Sequence, residues 1–380
     1  MTHTLIDLFS GCGGLGLGFH QAGFSTTYAN EIHVDPATTY VRNLLGDESH
    51  RMLLGPIEQQ LSNKAIDMRR SELRDIDCIS GGPPCQGLSL AGAGNPDDPR
   101  NMLFREYLRV VKKIRPRSII FENVPGFVNR YGLGLKSRLE EKLEDYGYLF
   151  DSHVIKASDY GVPQNRERFI LIGVHEDYAT DEVKLPTPTW TPSQRNKHLR
   201  VSDIIDDLNS YEIWGGYGTG EIWGESTYTK PALSDFAKTM RSESNKTNTT
   251  WNTKIPKHTS IVAERMGRIL DGEGPEDWIG TPLETKKHTQ RGLVKDEFEN
   301  ITMVSTPDDF VHYDRSLPRT LSVRECARFQ TFPDHFHFYG SRTTGGVRRK
   351  TEVPQYTQVA NAIPPRLAEA LAHQVLGLIQ

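Results

Sequence analysis

Through residue 175 the apolar and polar positions switch between two periods. Leu5 to Phe9, Ser25 to Asn30, Ile76 to Ile79, Ser118 to Phe121 and Phe169 to Val174 read as short strands, the last of them buried. Stretches of helical spacing separate them. Leu15 to Ala22 follows a glycine-rich turn. Asp35-Pro36, as N-cap and first helical residue, opens a helix with Tyr40, Val41, Leu44 and Leu45 on one face. Leu103, Tyr107, Val110, Val111 and Ile114 form a further apolar stripe, and Leu135 to Tyr146 is charged and amphipathic. This succession predicts an α/β fold, a doubly wound, mostly parallel sheet with helices on both faces.

The pattern changes after Val174. From Pro186 onward Pro, Gly, Ser, Thr and Trp dominate, so residues 184–318 are expected to form a smaller, loop-rich domain. Regular signals return at Leu321. Ser322 and Glu325 are spaced as a capping box for a helix through Gln330, and Pro364-Pro365 starts a last helix with Leu367, Leu371, Val375 and Leu378 on its apolar face. The sheet domain is thus expected to comprise residues 1–183 and 319–380.

Composition narrows the class. Of 380 residues 36% are hydrophobic and 25% charged, the balance of an ordinary globular protein. No apolar run approaches the roughly 20 residues that span a bilayer, so no membrane is expected, and the N-terminus does not read as a secretory leader. Four cysteines (Cys12, Cys78, Cys85, Cys326) without a Cys-x-x-Cys argue against a disulfide framework or a metal site and fit a reducing cytoplasm. The net charge is −4, so any nucleic-acid surface must be local. Two basic stretches qualify. Lys238 to Arg268 carries Lys238, Arg241, Lys246, Lys254, Lys257, Arg265 and Arg268 around Trp251, and Ser341 to Lys350 carries four cations and no acid. Such clusters most often mark solvated surface.

Candidate chemistry gathers at the expected strand ends. Gly11-Cys12-Gly13-Gly14-Leu15-Gly16 has the G-x-G-x-x-G spacing between a strand and a helix, and Glu31 ends the next strand. Such a loop suits an adenosine-containing cofactor, nicotinamide or S-adenosylmethionine alike. Gly81-Gly82-Pro83-Pro84-Cys85-Gln86 follows a strand, and its prolines stiffen the loop. Cys85 is therefore either a positioned nucleophile or a small buried hydrophobe. Glu122 belongs at the same sheet edge. A carboxylate beside a thiol suits a ring substrate whose nitrogen is hydrogen-bonded while sulfur adds to a neighbouring carbon. Arg166 and Arg168, two apart on an extended segment, point the same way and can hold a carbonyl oxygen or phosphate.

In this order, these blocks resemble the DNA (cytosine-5) methyltransferases of bacterial restriction-modification systems. Asp7 to Gly14 resembles the family's cofactor loop, Gly82-Pro83-Pro84-Cys85-Gln86 its nucleophile loop and Glu122-Asn123-Val124 its acidic block. Gln164 to Arg168 resembles the arginine block, Arg319 to Pro333 the segment that organises target recognition, and Gln358 to Ile363 the last block. The match spans about residues 5–175 and 311–375. It implies a Rossmann-like S-adenosylmethionine-dependent fold, with residues 184–318 as target recognition domain. It also implies sequence-specific methylation at C5 of a cytosine flipped out of double-stranded DNA. Cys85 would add to C6, Glu122 would hold N3 and the exocyclic amine, and Arg166 and Arg168 would hold the O2 side and a phosphate. The implied cofactor pocket comprises Phe9, Ser10, Gly11, Cys12, Gly13, Gly14, Leu15, Glu31, Ile32, Ile57, Gly82, Pro84, Leu103, Asn361 and Ala362. The implied DNA contacts are Gln86, Ser89, Gln164, Arg324, Lys254 and Lys257. A cognate restriction endonuclease is the implied functional partner, a monomer suffices for modifying one base, and the place of action is the bacterial nucleoid.

The chain departs from the family pattern at Pro56, where an acid near the adenine amine is usual, and at Ala360, where glycine is usual. Three other readings compete: the same chemistry on tRNA, a nicotinamide-dependent oxidoreductase, and a non-catalytic DNA-binding regulator. The oxidoreductase leaves the Pro84-Cys85-Gln86 and Glu122-Asn123-Val124 blocks unexplained. The regulator predicts loss of Cys85 or the arginine block, and both are present.

Overall fold

The structure, a computed structural model, describes residues 2–84, 102–129, 132–189, 199–208, 213–214, 226–256, 258–285, 291–297, 310–343, 348 and 351–379. The chain divides into two compact units, Met1–Thr191 with Ala362–Gln380, and Pro192–Asn361. Residues 319–361, expected from the sequence within the catalytic domain, group with the second unit by packing.

The first unit is built on a seven-stranded sheet: β1 His3–Leu8, β2 Phe24–Glu31, β3 Met52–Leu54, β4 Cys78–Gly81, β5 Ser118–Asn123, β6 Tyr148–Lys156 and β7 Glu167–His175. Their order is β3-β2-β1-β4-β5-β7-β6. All pairs are parallel except β5 with β7 and β6 with β7, so β7 alone runs against the rest. The order reverses between β1 and β4, and open α/β sheets bind ligands beyond the carboxyl ends of the strands at such a switch point. Helices α1 Gly14–Gln21, α2 Val34–Tyr40, α3 Ile57–Gln60, α4 Asn63–Met68, α5 Phe104–Ile114, α6 Gly126–Asn129 and α7 Leu135–Asp145 belong to this unit, as does the C-terminal helix Pro365–Leu378.

Apolar side chains fill the interior on both sheet faces. One cluster joins Ile6, Leu8, Ile79, Tyr107, Val111, Phe121, Leu139 and Phe169. Another joins Leu5, Phe19, Ile120, Ile170, Leu367, Leu371 and Val375. Helix α2 departs from expectation. It starts at Val34 with His33 as N-cap, which puts Asp35 and Pro36 inside its first turn. There the proline's missing N–H forfeits no intrahelical bond.

The second unit carries α8 Val201–Ile205, α9 Asp235–Arg241, α10 Ser260–Leu270, α11 Val323–Phe329 and α12 Gln355–Asn361, with short two-residue strands. The expected capping box is formed: Ser322 Oγ accepts from Glu325 N at 3.2 Å, and Glu325 Oε2 accepts from Ser322 N at 2.7 Å. No helix among the described residues is long and apolar enough to cross a membrane.

Candidate active site

Strand register fixes which residues reach the carboxyl edge. Leu8 lies opposite Asn30 on one side and Gly81 on the other, and Gly81 lies opposite Phe121. The chain therefore leaves the sheet side by side at Phe9, Glu31, Gly82 and Glu122. Because β7 is reversed, its amino end arrives at the same edge, with Phe169 opposite Asn123. That reversal is what brings Arg166 and Arg168 to the strand ends.

The turn after β1 is tight. Phe9 and Gly11 both have φ of 55°, a left-handed conformation that Phe adopts only under constraint. Glu31 braces the turn from β2: Oε2 accepts from Gly11 N at 3.0 Å and Oε1 from His33 N at 2.8 Å. Burial raises the Glu31 pKa, and these amide bonds temper the rise. The glycines differ in purpose. A side chain at Gly14 would strike the Ile363 carbonyl at 2.2 Å and Ala362 Cβ at 3.0 Å, so Gly14 permits close packing of the chain returning at Ala362. Above Gly11 there is open space: a Cβ at that position would meet nothing within 4 Å.

That space suits a ligand. Ser10 Oγ is buried beside it without a hydrogen-bond partner, and Ile32, just past Glu31, is 55% exposed. An unpartnered buried hydroxyl calls for a polar ligand group. Cys12 is buried, which pushes its thiol up to about 12 and leaves it inert. Gly13 and Leu15 are buried within the turn and α1, and Leu103 precedes α5 as its N-cap. Ile57, at the start of α3, lies in the hydrophobic core at 3% exposure.

At β4 and β5 a second cluster forms. Asn123 Nδ2 donates to the Pro83 carbonyl at 3.0 Å, tying the root of the proline loop to the end of β5. Glu122 pairs with Arg168, Oε1 to Nε at 2.9 Å. Burial raises the Glu122 pKa while Arg168 and Arg166 pull it down. Arg166 is fully buried and also acts on Glu122 electrostatically, so both arginines converge on one carboxylate. Gly82 is the counterpart: a Cβ there would sit 2.5 Å from Glu122 Oε2. Pro84 is half-buried at the end of the described loop. Cys85, Gln86 and Ser89 lie outside the described residues, as does Lys257.

The sequence profile of the C-5 cytosine-specific DNA methylases matches residues 3–377. The chain belongs to that family. It is a C-5 cytosine-specific DNA methyltransferase of the type II restriction-modification kind. Among its relatives, the type II methyltransferase M.MthTI of Methanothermobacter thermautotrophicus is 32% identical over 99% of this chain and 97% of its own length. M1.HphI of Haemophilus parahaemolyticus is 31% identical over 100% and 88%. An E. coli prophage-encoded protein described as a DNA modification methyltransferase superposes with a TM-score of 0.72 at 25% identity, covering 99% of each chain. Spodoptera frugiperda DNMT2, at 15% identity and a TM-score of 0.54, shares the fold.

In this methylase two of the expected DNA contacts are buried. Arg324 is fully buried in the second unit. Its Nε donates to Trp251 O at 3.0 Å, Nη1 to Pro333 O at 3.0 Å, and Nη2 to Phe336 O. A guanidinium so engaged is an internal tie and presents nothing to a phosphate. Gln164 is likewise fully buried, within the first unit. Trp251 is packed, its ring 4.4 Å from that of His337. Lys254 is half-buried, and its carbonyl accepts from Arg342 Nη1 at 3.0 Å. Asn361 is exposed at the end of α12. Sequence reasoning missed Asn123 as a tether and gave the Asp7 side chain no role, although a carboxylate inside the apolar run Leu5 to Phe9 was a visible signal.

Proposed function

We propose that this methylase modifies C5 of a cytosine flipped out of double-stranded DNA within a short specific sequence, through a covalent adduct between Cys85 and C6. The Glu122–Arg168 pair beside the tethered Pro83 carries this reading. Two residues beyond that tether, the Cys85 thiolate adds to C6 and pushes electrons toward C5. Glu122, with its pKa raised by burial, shares a proton with N3 and holds the exocyclic amine, so the ring accepts those electrons. Arg166 and Arg168 keep the Glu122 carboxylate oriented and hold the O2 side of the base. Loss of the C5 proton and departure of Cys85 then restore the aromatic ring.

S-adenosylmethionine, held at Ser10, Gly11, Glu31 and Ile32, supplies an electrophilic methyl group for C5. Residues 184–318 read the target sequence, the enzyme acts as a monomer on chromosomal DNA, and a restriction endonuclease of the same specificity is its functional partner.

Incubation with S-adenosylmethionine and mixed-sequence duplex DNA, followed by bisulfite sequencing, tests this reading. Protected cytosines in one recurrent context support it, and methyl label on tRNA alone refutes it. Cys85→Ser is expected to abolish transfer, a loss of at least about 1,000-fold for removing a covalent nucleophile, with S-adenosylmethionine binding retained. Turnover by that variant would rule out the adduct.

A further inference from the structure

Asp7 has no part in the chemistry above, yet it is a fully buried carboxylate near the carboxyl end of β1, at the point where strand order reverses. Its Oδ1 accepts from Ser80 Oγ on β4 at 2.9 Å. Its Oδ2 lies against the backbone of Gly16 in the first turns of α1, beside the Tyr40 hydroxyl of α2. A Cβ at Gly16 would stand 2.9 Å from Oδ2 and 2.7 Å from the Tyr40 oxygen. Tyr40 in turn bonds Thr26 Oγ1 at 3.0 Å, and Thr26 bonds His20 Nε2 at 2.8 Å. One carboxylate thus touches β4 and α1 directly and α2 through Tyr40, and α1 is the helix that the cofactor turn enters.

We infer that Asp7 is the positioning residue of the cofactor turn: with Tyr40 it seats the start of α1, and through α1 it sets where Ser10 and Gly11 meet the cofactor. This rests on S-adenosylmethionine occupying that turn. Gly16 is glycine because the carboxylate and the phenol fill the place of a side chain. The groups facing Asp7 are Ser80 and Cys78 on β4, Tyr40 on α2, Glu31 at the end of β2, Cys12 in the turn before α1 and the Gly16 amide within it. Burial, opposed by Ser80, Tyr40 and Gly16 and assisted by Glu31, raises the Asp7 pKa to about 7. Protonation weakens the bond from Ser80 Oγ and removes the charge that the Tyr40 hydroxyl and the Gly16 amide face across Oδ2, so the seat loosens as pH falls through neutrality.

Equilibrium binding of S-adenosylmethionine and of S-adenosylhomocysteine, from pH 6 to 8.5, tests this in the wild type, Asp7→Asn and Tyr40→Phe. The wild type should bind both ligands about tenfold more weakly at pH 6 than at pH 8, the worth of one charge-assisted hydrogen bond. Asp7→Asn should flatten the profile at the weak level for both ligands, because the effect lies in the turn and not in the sulfonium charge. Tyr40→Phe should weaken binding in the same direction by about threefold, while kcat at saturating cofactor stays within about twofold in both variants. Superimposable profiles for the wild type and Asp7→Asn would overturn the inference, as would a loss confined to S-adenosylmethionine. If Asp7→Asn does not fold, Tyr40→Phe decides, with unchanged affinity counting against it. A wild type that binds neither ligand would fail the cofactor assignment itself.

Discussion

The two units are held together by opposite means. The interior of the first is aliphatic and aromatic, with β5 and β7 contributing Ile119, Phe121, Phe169 and Leu171 to one face and Ile120, Ile170 and Ile172 to the other. The second has an apolar cluster of Met266, Ile269, Trp278, Leu283 and Val311, but around α11 its interior is ionic. Arg328 is fully buried and pairs with Asp207 at 2.5 Å and Asp334 at 2.6 Å. Arg241 pairs with the same Asp207 at 2.6 Å and stacks 3.6 Å over the Tyr228 ring. Arg319 holds Glu325 through two bonds, of 2.7 and 2.8 Å, and against the burial that would raise it keeps that carboxyl at about 2. Apolar burial is tolerant of direction, whereas a buried guanidinium is satisfied in one geometry. The sheet unit can carry chemistry at its edge, while the ionic unit fixes the loops around Trp251 and Phe336 with little regular structure.

The largest effect that tests this contrast is expected at Arg328. Arg328→Met leaves Asp207 and Asp334 buried and without their main cation, and should destabilise the protein by about 3–5 kcal/mol, read by chemical denaturation. A loss near 1 kcal/mol would mean that apolar packing, not charge, holds α11. Replacing Arg328, Arg241, Asp207 and Asp334 together by apolar residues should recover much of the loss, since it is the uncompensated charge that is costly and Arg241 shares Asp207.

In the sheet unit the sensitive point is geometric. Gly82→Ala adds one methyl group at 2.5 Å from Glu122 Oε2. The backbone there accepts alanine, since Gly82 is not among the glycines of positive φ, so the strain falls on the carboxylate and its pairing with Arg168. The expected result is a fall in kcat of about 100-fold, the scale for displacing a reacting group by an ångström, with stability nearly unchanged. Activity within about threefold of wild type would show that Glu122 has room to move.

This contrast also explains what could be read from sequence. In the first unit burial is apolar and periodic, so β1, β2, β4, β5, β7, α5, α7 and the C-terminal helix stand where the pattern puts them. The exceptions carry weak patterns. Strand β3 has only three residues, and β6, at the sheet edge, reads Asp151-Ser152-His153 in its middle and is mostly half-buried. At the site, Glu31, Glu122, Arg166 and Arg168 were legible because their blocks stand at strand ends, whereas the Asn123 tether depends on a loop conformation that spacing does not encode. In the second unit the sequence misleads, because arginine reads as surface or as a DNA contact. Arg324 and Arg241 are both interior, and among their partners are groups far along the chain, Trp251 and Asn252 more than 70 residues from Arg324 and Asp207 34 from Arg241, which spacing does not reveal.

The smallest effect is expected three residues from one of the largest. Lys238 and Arg241 share α9, carry the same charge and belong to the same basic stretch. Lys238 Nζ meets Asp235 Oδ1 at 3.0 Å with both side chains exposed, 59% and 98%, where water and salt screen the pair and holding two flexible chains offsets the attraction. Lys238→Ala should therefore leave the thermal midpoint within about one degree, whereas the 4% exposed Arg241 has no water to replace the carbonyls of Asp207 and Lys230 that it bonds at 2.8 and 2.9 Å. A drop of several degrees for Lys238→Ala would mean that charge stabilises this unit at its surface as well as inside. The distinction between its two classes of cation, on which the reading of the whole basic stretch depends, would then collapse.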